Sequence, residues 1–510
     1  MAQRAPKPQT GSASIGKMIQ TLREKRGITQ EEFAKQLNTT QSAIARIEKG
    51  EQNLTTEMIA KISKVLNHDL VRVSTGAINV EIHGGKPLSG TIVTKTSKNG
   101  AMGLLCASLL NKNTTLLKNV PKIEEVHRMI EVFQSIGVHV AWKGNDVEIK
   151  PPAKLSLSSI NVAAAEKTRS IIMLIGPLIH LLQSFSLPQP GGCKLGSRTV
   201  RPHFFALEKL GVKIKTTSDA YEVKASKLKA HDIVLYESGD TVTENVLMAA
   251  ARTEGTTTIK FASANYMGQE LCFFLEKLGV TVEGIGTTTL VVHGKKNIDV
   301  PVTYYLSEDP IESMFFIAVA IVTNSSITIE RCPIDFLEIE LLKLEKMGFK
   351  YKILKRYKAD NGHTNLVDIK TLPSKLKALE EKIECRPYPG LNIDNLPFFA
   401  VIATQAKGTT FLHDWVYEKR AIHYKELDKL GADTLLADPH RMYITGPTKL
   451  KPAEIICPPA LRPAAIILIG MLGAHGRSVL RNIYSINRGY EDIIARLESI
   501  GADIKILREL

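Results

Sequence analysis

One short phrase recurs six times along this chain: an apolar helix end, then Leu, Ile or Met, then Gly, then usually a small or branched apolar residue. It reads Phe133-Gln134-Ser135-Ile136-Gly137-Val138, Leu207-Glu208-Lys209-Leu210-Gly211-Val212 and Leu275-Glu276-Lys277-Leu278-Gly279-Val280. It returns as Leu344-Glu345-Lys346-Met347-Gly348-Phe349, Leu427-Asp428-Lys429-Leu430-Gly431-Ala432 and Leu497-Glu498-Ser499-Ile500-Gly501-Ala502. The glycines lie roughly 70 residues apart, too far for the usual solenoids, so the chain is built from repeated small units. Each phrase reads as a helix stopped by a glycine able to take positive φ, followed by an extended segment such as Val212-Lys213-Ile214-Lys215. A second phrase precedes it in five units: an apolar helix, then a small polar turn such as Asn113-Thr114-Thr115, Gly255-Thr256-Thr257 or Gly408-Thr409-Thr410. The unit therefore runs helix, turn, strand, helix, glycine, strand, strand. Six of these predict an α/β architecture.

A length of 510 residues sets a starting expectation of about three domains. Hydrophobic residues at 44% and charged residues at 23% are those of an ordinary globular chain. The most apolar stretch, 171–182, contains Pro177 and His180 and is too short to span a bilayer, so it reads as a buried helix and no membrane contact is expected. Residues 1–14 have no apolar signal-peptide core and read as a disordered lead, which makes the cytoplasm the expected location. Six scattered cysteines show no metal-ligand spacing and are expected to be mostly reduced and buried. Neither a metal nor a cofactor is expected. The net charge of +14 fits a nucleic-acid partner, an anionic small substrate, or solvated lysines on amphipathic helices.

The repeats do not reach the first seventy-odd residues, where 15–72 reads as four or five short helices. A first helix, 15–25, is closed by Gly27. Thr29 then caps a second, with Glu32 three residues on completing a capping box. After a turn at Leu37-Asn38-Thr39, residues 40–50 form a third helix whose Ile44 and Ile47 face inward, while Ala34 is small where two helices cross. Thr40, Gln41, Ser42 and Arg46 are left at the front of that helix, where a major groove could be read. The Thr-Gln-Glu-x-x-Ala and Ile-x-x-Ile-Glu-x-Gly phrases at 29–34 and 44–50 resemble the lambda-repressor-like, Xre-type DNA-binding domains. That resemblance implies double-stranded DNA as a partner. A purely oligomerising helical bundle is the alternative.

Within the repeat region the sharpest local feature is Pro190-Gly191-Gly192-Cys193-Lys194-Leu195-Gly196-Ser197-Arg198. Its glycines predict a mobile loop, and Lys194 and Arg198 beside Cys193 favour a reactive thiolate.

That loop, the six units, Ser97-Lys98-Asn99, Thr168-Arg169-Ser170 and Asn487-Arg488-Gly489-Tyr490-Glu491 stand in an order that resembles the enolpyruvyl transferases, over about residue 78 to the C-terminus. The Cys loop and the Lys-Asn pair resemble the branch acting on UDP-N-acetylglucosamine rather than shikimate 3-phosphate. The resemblance implies a two-domain inside-out barrel of six βαβαββ units. Residues 98–300 would form one domain, and 78–97 with 301–510 the other. It implies transfer of enolpyruvate from phosphoenolpyruvate to the sugar's 3′-hydroxyl with release of phosphate, a step of peptidoglycan precursor synthesis. A donor carrying a carboxylate and a phosphate needs a cationic cleft. By resemblance Lys98, Arg169, Arg198, Arg420, Arg462 and Arg488 take the family's cationic positions. Cys193 matches the loop thiol acting as general acid, Asp394 the carboxylate that takes the hydroxyl proton, Asn99 a sugar contact, and Asp309 a further substrate-binding position.

The departures from that pattern are specific. Ala460-Leu461-Arg462 stands where the family has Asp-Leu-Arg, and Asp309-Pro310-Ile311-Glu312 lacks an arginine. Asp240 sits in the turn that would meet a diphosphate and would repel it. Arg201 replaces an acid near the uracil end, and Asn265-Tyr266-Met267 replaces Glu-Pro-Glu. Donor cations are thus better kept than the acceptor site. Three functions fit: the carboxyvinyl transfer with an added DNA-binding domain, an enolpyruvyl transferase with another acceptor, or a catalytically impaired ligand-sensing transcriptional regulator.

Overall fold

The computed structural model describes residues 16, 19–24, 28–50, 58, 61–62, 65, 78–189 and 199–508. The chain divides into two compact units, residues 1–76 and 77–510. In the first, Thr29 caps the helix Gln30–Gln36, and the reciprocal bond from Glu32 completes the capping box read from the sequence. Asn38 takes φ 53° in the turn, and Thr40 caps the helix Gln41–Glu48. Phe33, Ala34, Ile44 and Ile47 are buried in a small core with Ile19 and Ile62. Beside it Arg23 and Glu48 form a buried pair, Nε to Oε1 at 2.5 Å and Nη2 to Oε2 at 3.0 Å, and Gln30 donates to the same carboxylate at 2.8 Å.

The second unit has the expected six-fold plan. All six repeat glycines take positive φ: Gly137 93°, Gly211 97°, Gly279 82°, Gly348 99°, Gly431 83° and Gly501 96°. In that region a Cβ clashes with the backbone, which is why the phrase keeps glycine there. Each glycine ends a helix and starts a strand, as at Glu124–Ser135 before His139–Lys143. The strand after the polar turn becomes an inner strand of its own sheet. Six sheets result, and in five of them it also pairs with a parallel strand.

Apolar helices fill the inside. Pro310–Val322 is buried along its whole length, as is Leu396–Ala403, and these two pack on each other and on Leu461–Gly473. A helix apolar all round belongs in a core, so the sheets are left outside and the barrel is inside out. The apolar stretch at 171–182 is buried through Ile179 but begins as the 3₁₀ turn Arg169–Leu174 before the α-helical Ile175–Leu178. Buried apolar side chains gather into two clusters, one drawn from 101–306 and the other chiefly from 80–92 and 311–504.

Strands are exchanged between distant parts of the chain. Ile78–Gly84 lies in the sixth sheet between Gly476–Arg481 and Asp503–Arg508, antiparallel to both. Ser89–Val93 joins the fourth sheet parallel to Ser326–Pro333, and Val302–Tyr305 joins the first parallel to Thr115–Lys118. Two chain crossings, near 94–97 and 306–309, therefore connect the halves, and Thr96 bridges Glu308 where they meet.

Candidate active site

A cavity of about 1000 Å³ opens between the two halves of the repeat unit. Its cationic end is assembled from elements distant in sequence. Lys98 comes from the first turn of Lys98–Ser108, Arg462 from the first turn of Leu461–Gly473, and Arg420 from the residue before Ala421–Leu430. Helix N-termini favour anions, so these three arrive where the backbone already offers N–H groups. Asp394 lies among them, with Arg462 Nη2 at 3.2 Å from Oδ2 and Arg420 Nη1 at 3.8 Å from Oδ1. Burial pushes the Asp394 carboxyl up, but Arg462, Arg420 and Lys98 outweigh it and hold it below the ordinary carboxylate range. It is therefore ionised at neutral pH.

Each guanidinium is itself held in place. Asp414 grips Arg420 with both oxygens at 2.6 and 2.9 Å, and Tyr424 donates to Asp414 at 2.6 Å. Arg462 donates to the Tyr490 hydroxyl at 2.8 Å, while its buried Nε has no protein partner. Lys98 Nζ and Arg488 Nη2 converge on Glu125 at 3.0 and 2.5 Å. Burial opposes ionisation of Glu125, and the two cations overcome it. Arg488 sits on the second half and Glu125 on the first, so this triad closes the cleft on one side. Glu491 adds to the closure, accepting from Lys122 N at 3.0 Å.

The altered turn also lines the cavity. Asp240 opens the helix Asp240–Ala251 and lines the cavity, with Ser263 and Asn265 donating to it at 2.6 and 3.3 Å. Asn265 also caps the helix Tyr266–Lys277, so the residue replacing an acid has a local structural use. Arg169 lines the cavity near His203, whose imidazole burial holds neutral with a pKa of about 4, the Arg169 charge adding to that. Arg201 is exposed at the start of Arg201–Lys209.

Of the residues read from the sequence, Lys98, Arg169, Asp394, Arg420, Arg462 and Arg488 all line this cavity, together with Ala460. Asn99 and Asp309 are not among the lining residues. Asn99 donates to the Tyr266 hydroxyl at 3.2 Å, and Asp309 caps Pro310–Val322 by accepting from Ile311 N at 2.8 Å. Cys193 and Arg198 lie outside the described residues. The other five cysteines are free and buried. Thr40, Gln41, Ser42 and Arg46 are exposed on the first unit, with Thr40 also serving as N-cap. Glu125, Asp414 and Tyr424 escaped the sequence reading. Only Glu125 carried a signal, an acid in the first turn of a helix after Val120-Pro121, and that position is ordinary for any helix.

An α/β barrel of six units whose cleft gathers three cations about one ionised carboxylate, with Arg488 lining the same cavity, is a scaffold for chemistry on an anionic substrate. The family model described as EPSP synthase (3-phosphoshikimate 1-carboxyvinyltransferase) matches residues 82–497, and a helix-turn-helix model matches 19–71. UDP-N-acetylglucosamine 1-carboxyvinyltransferase of Treponema denticola is 34% identical over 83% of this chain and 98% of its own length. The enzyme of the same name from Treponema pallidum is 32% identical, with the same coverage. In structure, the enolpyruvyl transferase NikO from Streptomyces tendae superposes with a TM-score of 0.74 at 24% identity, over 85% of this chain and all of its own. The chain belongs to the enolpyruvyl transferase family and carries a helix-turn-helix domain ahead of it.

Proposed function

We propose that the repeat unit transfers enolpyruvate from phosphoenolpyruvate to the 3′-hydroxyl of UDP-N-acetylglucosamine, releasing phosphate, and that the N-terminal unit binds duplex DNA. The observation that carries the transfer is Asp394, ionised between Arg420 and Arg462 at the cationic end of the cavity. Fixed cations facing the donor's carboxylate and phosphate would offset charge as it develops, with little reorganisation. The unmatched Nε of Arg462 is a buried donor suited to a substrate oxygen. Asp394 would accept the hydroxyl proton as the oxygen attacks C2, and Cys193 would protonate the methylene carbon. The two curated relatives named for this reaction support the reading. The exposed Thr40, Gln41, Ser42 and Arg46 are the groups offered to bases.

One observation favours a different acceptor: Asp240 lines the cavity at the turn where the family pattern would meet a diphosphate. The deciding measurement is phosphate release from phosphoenolpyruvate with and without UDP-N-acetylglucosamine, with Cys193→Ser as control. Release that depends on the nucleotide sugar supports the main reading. Release only with another hydroxyl acceptor supports the second, and none with any acceptor overturns both.

A further inference from the structure

The strand Lys350–Lys358 is a free edge of the fourth sheet and carries five cations in nine residues. Tyr351 and Ile353 turn inward against the core, so Lys350 and Lys352 project outward from the exposed face. A bulge follows, and Lys355 then pairs with Asp368 on the neighbouring strand. Lys370 on that neighbour stands directly across from Lys352, on the same face. Like charges directly opposed in a sheet are destabilising. No carboxylate lies within ion-pair distance of these four lysines among the described residues. The nearest acid in register, Asp368, already accepts from Tyr357 Oη at 2.6 Å and from Arg331 N at 3.1 Å.

Lysine on an edge strand also discourages strand-to-strand association. That role is met at the edge itself and gives no reason for Lys370, one strand further in. A polyanion laid across the face does. From Lys350 to Lys355 the strand covers about 17 Å at 3.4 Å per residue, close to the length over which one DNA strand presents five phosphates. The same chain carries a helix-turn-helix domain, and on the reading proposed above that this domain binds duplex DNA, DNA is the polyanion the molecule is equipped to meet. The geometry points to a second DNA-contacting surface, formed by Lys350, Lys352, Lys355 and Lys370, that binds phosphates without reading sequence. Held on the same chain as a base-reading domain, such a surface raises the effective concentration of one contact once the other is made.

The test uses the full chain and a labelled 30-base-pair duplex of arbitrary sequence, with affinity followed against salt. Gln41→Ala with Arg46→Ala disables the helix-turn-helix face, and salt-dependent binding is expected to persist. Adding Lys→Gln at all four lysines is expected to weaken it at least tenfold near 0.1 M salt and flatten the log–log salt slope by about 2–4, at about 0.9 per phosphate. Lys→Arg at the same four positions keeps the charge and should keep the affinity, and the changes at these four lysines should leave phosphate release unaltered. Unchanged affinity and slope in the four-glutamine variant overturn the proposal. So does loss of binding to phosphatidylserine vesicles with DNA binding intact, which would assign the face to a membrane surface.

Discussion

At the scale of single residues, the cleft balances buried charge closely, and two side chains expose that balance to experiment. Ala460 is fully buried at the N-cap of Leu461–Gly473, with extended backbone and no side-chain cap, two residues before Arg462. Ala460→Asp should cap that helix, adding about 1 kcal/mol of stability seen as a higher melting temperature. If a missing acid limits the reaction, phosphate release should rise at least tenfold. Unchanged turnover would leave an altered acceptor as the better account. Glu270 is buried on the helix Tyr266–Lys277, accepts from Ser307 N and is pushed up by burial to about 7. Its folded pKa lies above the ordinary glutamate value of about 4.5, so its contribution to stability is complete below that value and is lost as pH rises through 7. Glu270→Gln should remove this dependence. In paired denaturant titrations the variant should gain on the parent between pH 5 and pH 8, by on the order of 1–3 kcal/mol.

At the scale of elements, the glycine turn is where local sequence and fold agree most directly. A methyl group at Gly501 would meet no heavy atom within 4 Å beyond its own chain neighbours, so any cost of Gly501→Ala comes from its φ of 96° alone. That cost should be about 1–2 kcal/mol, read as a fall of a few degrees in melting temperature without loss of phosphate release. The helix ends, the polar turns and the capping box at Thr29 were legible because each depends on neighbours a few residues away. Asp394, Arg420 and Arg462 were legible only through resemblance, since 68 residues separate the two partners of the Asp394–Arg462 pair. Glu125 and Asp414 were not legible, because each acts by gripping a cation that the chain brings from elsewhere. Asn99 and Asp309 show the reverse: the motif marks the position, while the side chain is bonded to Tyr266 and to the backbone of its own helix.

At the scale of the whole molecule, the two compact units have separate cores, and each should fail alone. Glu48→Ala leaves Arg23 buried without its carboxylate, a loss of about 3–5 kcal/mol that a core as small as this one cannot absorb. DNA binding through the helix-turn-helix face should be abolished while phosphate release stays at the parent rate. Loss of both together would mean the units unfold as one. The first strand of the repeat unit has a slower prospect. Val80 pairs with Leu480 and Ile82 with Ile504, so the sixth sheet cannot close until nearly the whole chain has been made. At ribosomal rates of about 5–20 residues per second, that strand waits roughly 20–80 s for its partners. The helix-turn-helix domain, synthesised before it and dependent only on local contacts, can finish folding while the repeat unit is still open.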